Sequence, residues 1–237
     1  MTLNAGKIKG GNGGKRVEQP ALEDGAYPAR VVQIIDLGLQ PQRPYQGEDK
    51  PPADEIMVTY ELVDEFLVDE KGEIQEDKPR WVSETFPLRS LDSDLAKSTK
   101  RYKVLDRDMV YGGDWSMLLG SPCNVNIVVN VKGDKTYTNV SSIAAMRPKE
   151  LKALPELANE PKMFTLDGPN MEVFLSLPEW LQTKIKGNLR YNGSALQELI
   201  EGDKPKPKPK AKEEPEEEDD DLPFEPDNTE EDDDDNW

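Results

Sequence analysis

Histidine is absent from this 237-residue chain, and Cys123 is its only cysteine. The two absences exclude an internal disulfide framework, a Cys/His zinc site, and the Ser-His-Asp and Cys-His nucleophile systems. A lone cysteine suits a reducing compartment, so a cytoplasmic location is expected. No signal peptide is evident and no apolar run approaches the ~20 residues that span a bilayer, so no membrane partner is expected. Apolar residues make up only 35% of the chain and charged residues 33%. Part of it is therefore expected to lie outside any packed core.

Basic charge is scarce overall, and the acidic excess is concentrated. Lys and Arg number 30 against 48 Asp and Glu, a formal net charge of −18. Residues 213–237 hold 16 of the acids and no Lys or Arg, so they carry −16 and residues 1–212 carry −2. The low isoelectric point thus describes one segment and does not argue against an anionic ligand elsewhere. Residues 17–202 contain 21 basic and 31 acidic residues, ten of the acids lying between Asp54 and Asp77. A nucleic-acid face there must be a local patch.

What is present divides the chain into five segments. Residues 1–19 set Gly10, Gly11, Gly13 and Gly14 among Lys7, Lys9, Lys15 and Arg16, a flexible basic arm. They miss the phosphate-loop pattern, because Gly14-Lys15 is followed by Arg16 and no strand precedes them. Residues 20–146 read as a β-rich domain. Strands are expected at Tyr27–Asp36, at Ile56–Leu62 continuing toward Phe66, and at Arg80–Leu88. Asp92–Leu105 reads as a helix, with a helical turn at Trp115–Leu119. Cys123, Val125, Ile127, Val129 and Val131 then alternate strictly, and a Lys132–Lys135 turn leads into Thr136–Ala145. Residues 147–202 read as an appended helical region, with helices at Pro148–Leu157, from Leu177 through Ile185, and at Ser194–Ile200. Residues 203–212 alternate Lys and Pro, an extended linker, and residues 213–237 form an acidic tail whose like charges oppose folding.

Three strands, a helix and two strands is the element order of the OB-fold. The expected fold is therefore mainly β: an OB-fold-like five-stranded barrel with a helix between strands 3 and 4, appended C-terminal helices and disordered termini. The appended helices either cover the barrel or mediate self-association, which leaves a homo-oligomer open.

Asp219-Asp220-Asp221-Leu222-Pro223-Phe224 closely resembles the acidic tip of bacterial single-stranded DNA-binding proteins, although Glu225 follows Phe224 here where the family's motif ends its chain. Asp232-Asp233-Asp234-Asp235-Asn236-Trp237 resembles the tails of phage single-stranded DNA-binding proteins, in which an acidic run ends in one aromatic residue. Gly25–Val32 and Leu177–Ile185 resemble segments of phage replication and recombination proteins. The resemblance implies a non-enzymatic phage protein that coats single-stranded DNA. Its tail would contact replication proteins, whether polymerase, helicase/primase or recombinase.

Sequence-tolerant binding of single strands needs cations near phosphates and flat rings for stacking. The candidates are Arg43 with Tyr45, Arg80 with Trp81, the run Lys97, Lys100, Arg101, Tyr102, Lys103 and Arg107, and Lys135 with Tyr137. Each ring has a bland alternative as a core or rim residue, and the helical cations have one as a solvated face. Tyr60 and Phe86, among apolar neighbours, are assigned to the core, as is Cys123. In the tail the expected partner contacts are Asp219, Asp220, Asp221, Leu222, Phe224, Asp232, Asp233, Asp234, Asp235 and Trp237, Trp237 being the primary one. No catalytic residue, metal ligand or cofactor is expected. Two alternatives stand: a replication adaptor or DNA mimic that occupies a partner's DNA site, and a Mg2+-dependent nuclease using the Asp54–Asp77 carboxylates, whose spacing lacks a recognisable ligand pattern.

Overall fold

In a computed structural model, the described residues are 17, 19–133 and 135–202. The tail residues named above, Phe224 and Trp237 included, lie outside them. So do the basic residues of the N-terminal arm.

The described chain is mainly β, with six strands in one sheet. β1 (Gly25–Gln40), β2 (Ala53–Val68), β3 (Ile74–Pro87), β4 (Pro122–Lys132) and β5 (Lys135–Ala144) lie in the order β3-β2-β1-β4-β5, all antiparallel. β6 (Lys162–Phe164) joins β1 in parallel at Gln33–Ile35. α1 (Lys97–Leu105) falls between β3 and β4. β3 and β5 are not ladder partners, so the sheet is not closed.

β1 is the axis of the fold, and its sequence explains why. Tyr27–Asp36 is β-branched and apolar without strict alternation, as a strand covered on both faces requires. Two bulges bend it: the register with β2 skips one residue between Val31 and Gln33 and another between Asp36 and Gly38. Val31, Ile34, Val58 and Tyr60 enter one core, together with Phe86, Tyr102, Cys123, Val125, Ile127 and Ile143. Ile35, Leu37 and Met57 face the other way into a second core.

That second core is built largely by three of the C-terminal helices. Phe164, Phe174, Leu177, Leu181, Ile185 and Leu196 cover the opposite side of β1 and β2. They come from β6, α3 (Met171–Ser176), α4 (Glu179–Lys186) and α5 (Ala195–Glu201) with their connections. Neither β6 nor α3 was expected from the sequence. α2 (Pro148–Ala153) stops short of the expected Leu157, because Pro155 lacks an N–H and biases its predecessor away from helix. α1 begins five residues after Asp92, the expected start, so Leu95 precedes it and is 88% exposed.

Gly38 marks the junction of the two layers. Its φ is +71°, and a Cβ there would lie 2.7 Å from Leu166 Cδ1 and 2.8 Å from Asn188 Cγ. Both the left-handed backbone and the close approach require glycine. Among the described residues no helix is long and apolar enough to cross a membrane.

Candidate nucleic-acid interface

The expected cation and aromatic cluster on α1 divides in the structure. Its buried residues are Ser98, Thr99, Arg101 and Tyr102, one face at helical spacing. Arg101 Nε donates to Glu84 Oε1 at 2.8 Å, and Nη2 donates to Glu84 Oε2 at 3.1 Å and to the Ser141 carbonyl at 3.1 Å. Ser141 is the extra residue of a bulge in β5, which frees its carbonyl from the ladder. Arg101 thus bridges β3 and β5 where no ladder joins them. Tyr102 has no exposed surface; its hydroxyl donates to the buried Asp106 carboxylate and accepts from the Gly113 N–H. Arg101 and Tyr102 are therefore corrected from DNA contacts to core residues. Their spacing placed them on the inner helix face, and the charge of Arg101 is matched there.

Lys97 and Lys103 are exposed but paired, Lys97 with Glu84 at 2.8 Å and Lys103 with Asp94. Lys100 and Arg107 are exposed. Glu84 is the electrostatic centre of this side. Burial raises its carboxyl's proton affinity, but hydrogen bonds and charge from Arg101 and Lys97 outweigh burial and hold it below the ordinary carboxylate range. Tyr60, which donates to Glu84 at 2.8 Å, is pushed well above the usual phenol range by burial and by that carboxylate.

Sequence reasoning missed Tyr111. Asp106 accepts from the Val110 and Tyr111 N–H groups at 2.9 and 2.8 Å, so a fixed loop after α1 displays Val110, 72% exposed, and Tyr111, 41% exposed. The available signal was Tyr111 itself, a ring beside Gly112-Gly113 and five residues after Asp106.

On the outer face of β3, Trp81 is 41% exposed, and its indole N–H donates to Glu61 at 3.2 Å. Arg80, half-buried, points to the other face by strand alternation. Arg43 and Tyr45 sit in the β1–β2 connection, where Tyr45 is 60% exposed and the Lys50 ammonium lies 4.5 Å from its ring centroid.

The β4–β5 hairpin supplies a second open aromatic patch, with Tyr137 46% exposed. Cys123, Val125 and Ile127 point into the core, so Val128, Asn130 and Lys132 face outward. Asn130 lies opposite Tyr137 in register, and Val128 opposite Asn139. Asn130, Lys132, Tyr137 and Asn139 line one shallow cleft of about 490 Å³. Lys135 stands opposite Lys132 at the turn. Lys132, Asn130 and Asn139 were not among the expected contacts, though the alternation of β4 places them beside Tyr137. This hairpin extends past the Gly25 end of β1, whereas the Tyr45 loop follows its Gln40 end. The two patches lie at opposite ends of that strand.

Between them, residues 154–161 cross the outer face without regular structure. The Ala158 N–H and the Asn159 amide donate to Glu61 at 2.7 and 2.6 Å, and Arg30 Nε donates to the Pro155 carbonyl at 2.7 Å. Among the described residues no buried side-chain N or O lacks a hydrogen-bond partner, and no group of three or more acids or Cys is arranged to hold a metal ion. No protein-family model matches the chain, and no curated protein matches it in sequence.

Proposed function

We propose that this chain is a sequence-tolerant single-stranded DNA-binding protein, without enzymatic activity, built on an OB-type barrel. The observation that carries the reading is the strand path β3-β2-β1-β4-β5 with α1 between β3 and β4. An OB barrel orders its strands this way and brings its third and fifth strands together, where Arg101 bridges Glu84 and Ser141 here. OB-folds receive oligonucleotides on the face of strands 2 and 3 and on the adjoining loops. Trp81, Tyr45 and Tyr137 occupy those places, each part-exposed, with Arg43, Lys132 and Lys135 close in sequence or register.

The acidic segment 213–237 is proposed to recruit replication proteins. Its charge would steer it into a basic pocket, and Trp237, with Phe224 as a second contact, would add apolar burial. The same charges can compete with DNA for the protein's own cations.

The test is a pair of assays on full-length protein and on a form lacking residues 213–237. Both should bind oligo(dT) at low salt, the truncated form at least as tightly, and only the full-length form should retain polymerase, helicase or recombinase in pull-downs. A truncated protein that ignores oligo(dT) at low salt removes the DNA reading. Inhibition of a DNA-binding partner by a protein that itself ignores DNA would favour the DNA-mimic alternative.

A further inference from the structure

Arg30 and Glu61 are direct partners in the β1–β2 register, yet their side chains bond to other residues and not to each other. Their neighbours Ala29, Val31, Tyr60 and Leu62 enter the first core, so both point to the outer face. There each is engaged by residues 154–161. The Arg30 guanidinium donates to the Pro155 and Gly120 carbonyls at 2.7 and 3.0 Å, and lies 3.4 Å from the Glu156 carboxylate. Glu61 accepts from the Ala158 N–H, the Asn159 amide and the Trp81 indole.

Two oxygens, one of them anionic, on one guanidinium are what a nucleic-acid phosphate would present. Trp81, the flat ring beside this site, is turned by the carboxylate that also holds the segment. The segment itself is weakly built in: none of residues 154–161 is buried, and none belongs to a helix or strand. Pro155 and Pro161 bound it and favour extended backbone over helix. Glu156 and Glu160 add negative charge over the face.

We propose that Arg30 and Trp81 form a further single-stranded DNA contact, covered in the free protein by residues 154–161 acting as a displaceable strap. The inference rests on the single-stranded DNA reading above. DNA entering this face replaces Pro155 and Glu156 at Arg30 with a phosphate, and takes the exposed ring of Trp81 as a stacking surface. Glu61, left by the strap, pairs with Arg30 across the strands or keeps the indole oriented. The strap thereby sets a threshold for binding at this face, while the β4–β5 hairpin patch needs no such exchange.

Full-length protein carrying Ala158→Pro with Asn159→Ala tests this. Proline removes the N–H that donates to Glu61, and alanine removes the amide, while Arg30, Glu61 and Trp81 stay intact. Oligo(dT) affinity should rise about fivefold and the slope of log K against log salt should steepen by about 0.7, the value of one added single-strand phosphate contact. Adding Arg30→Ala to the double variant should abolish both gains. Asn159→Ala alone, which leaves the backbone untouched, should move affinity the same way by a smaller factor and guards against misfolding of the proline variant. If the wild type binds oligo(dT) and both strap variants bind with unchanged or weaker affinity and the same slope, the strap is a fixed part of the fold and the inference fails alone. If neither wild type nor variants bind, the DNA reading falls and takes this site with it.

Discussion

Arg101 and Glu84 form an ion pair 2.8 Å apart, their side chains only 6% and 4% exposed, on the β3 side of the sheet, where Arg101 also reaches the Ser141 carbonyl of β5 without a ladder between the two strands. A buried pair contributes little relative to apolar residues of the same shape, but removal of one partner leaves an uncompensated charge and costs about 3–5 kcal/mol. Arg101→Ala should lower unfolding free energy by an amount in that range in urea titrations. DNA affinity of the folded fraction should stay within about twofold of wild type, because Arg101 does not reach the surface. A variant of normal stability and poor DNA binding would return Arg101 to the interface.

The same pair sets a pH dependence. Glu84 is held below the ordinary carboxyl value of 4.5 in the folded state. An acid with a lowered folded pKa contributes stability that is fully present above its unfolded value and is lost as pH falls through the folded one. Stability should therefore fall below about pH 4.5 more steeply in wild type than in Glu84→Gln. Urea midpoints measured between pH 6 and the acid transition compare the two; parallel curves would deny Glu84 this role.

How much of this was legible in the sequence depends on periodicity. The strict alternation from Cys123 gave the inner row of β4 as far as Ile127, with Val129 partly buried and Val131 70% exposed beyond the end of β1, and Tyr60 and Phe86 lie in the core as their apolar neighbours implied. Arg101 and Tyr102 differ from their expected place because helical phase outranks charge: positions 98, 101 and 102 share the inner face whatever they carry, while Lys97, Lys100, Lys103 and Arg107 stay exposed. The strap and β6 gave no signal, since eight irregular residues and a three-residue strand have no period to detect. The segment's placement comes from Glu61 and Arg30, whose partners in it are some 97 to 126 positions away, and that of β6 from its pairing with Gln33–Ile35.

Cys123 has no exposed surface, and burial pushes its thiol up to about 12. It should resist a thiol-specific disulfide reagent at pH 8 in the native protein and react fully in denaturant. Above the ordinary thiol value of 9.0 the unfolded chain loses this proton while the folded chain keeps it, so the site costs stability as pH rises further. Rapid labelling of native protein would show that the core between β1 and β4 opens.

Gly38→Ala should be among the more damaging single-methyl additions. The substitution meets a left-handed backbone and contacts of 2.7 and 2.8 Å with Leu166 and Asn188. Strain at such a position is on the order of 1–3 kcal/mol before the clash is counted. A melting temperature within a degree of wild type would mean that the second core yields easily.

Tyr137→Ala tests the open patch. One stacked base contributes about 1–3 kcal/mol by truncation, so oligo(dT) affinity should fall roughly 5- to 150-fold with no loss of stability, because the ring is 46% exposed. Tyr45→Ala, at the other end of β1, should cost less, since Lys50 already covers one face of its ring. Equal, negligible effects of both changes would place DNA elsewhere on the sheet.

The central claim is tested most directly by titrating full-length protein with oligo(dT) and with duplex of the same length across a salt series, following tryptophan fluorescence. Trp81 is part-exposed on the proposed face and should report binding. Single-strand binding is expected to be tight at low salt, to weaken linearly in log–log form as salt rises, and to exceed duplex binding by at least about tenfold. Equal affinity for duplex, or no response to oligo(dT) at the lowest salt, would contradict a single-stranded DNA-binding protein.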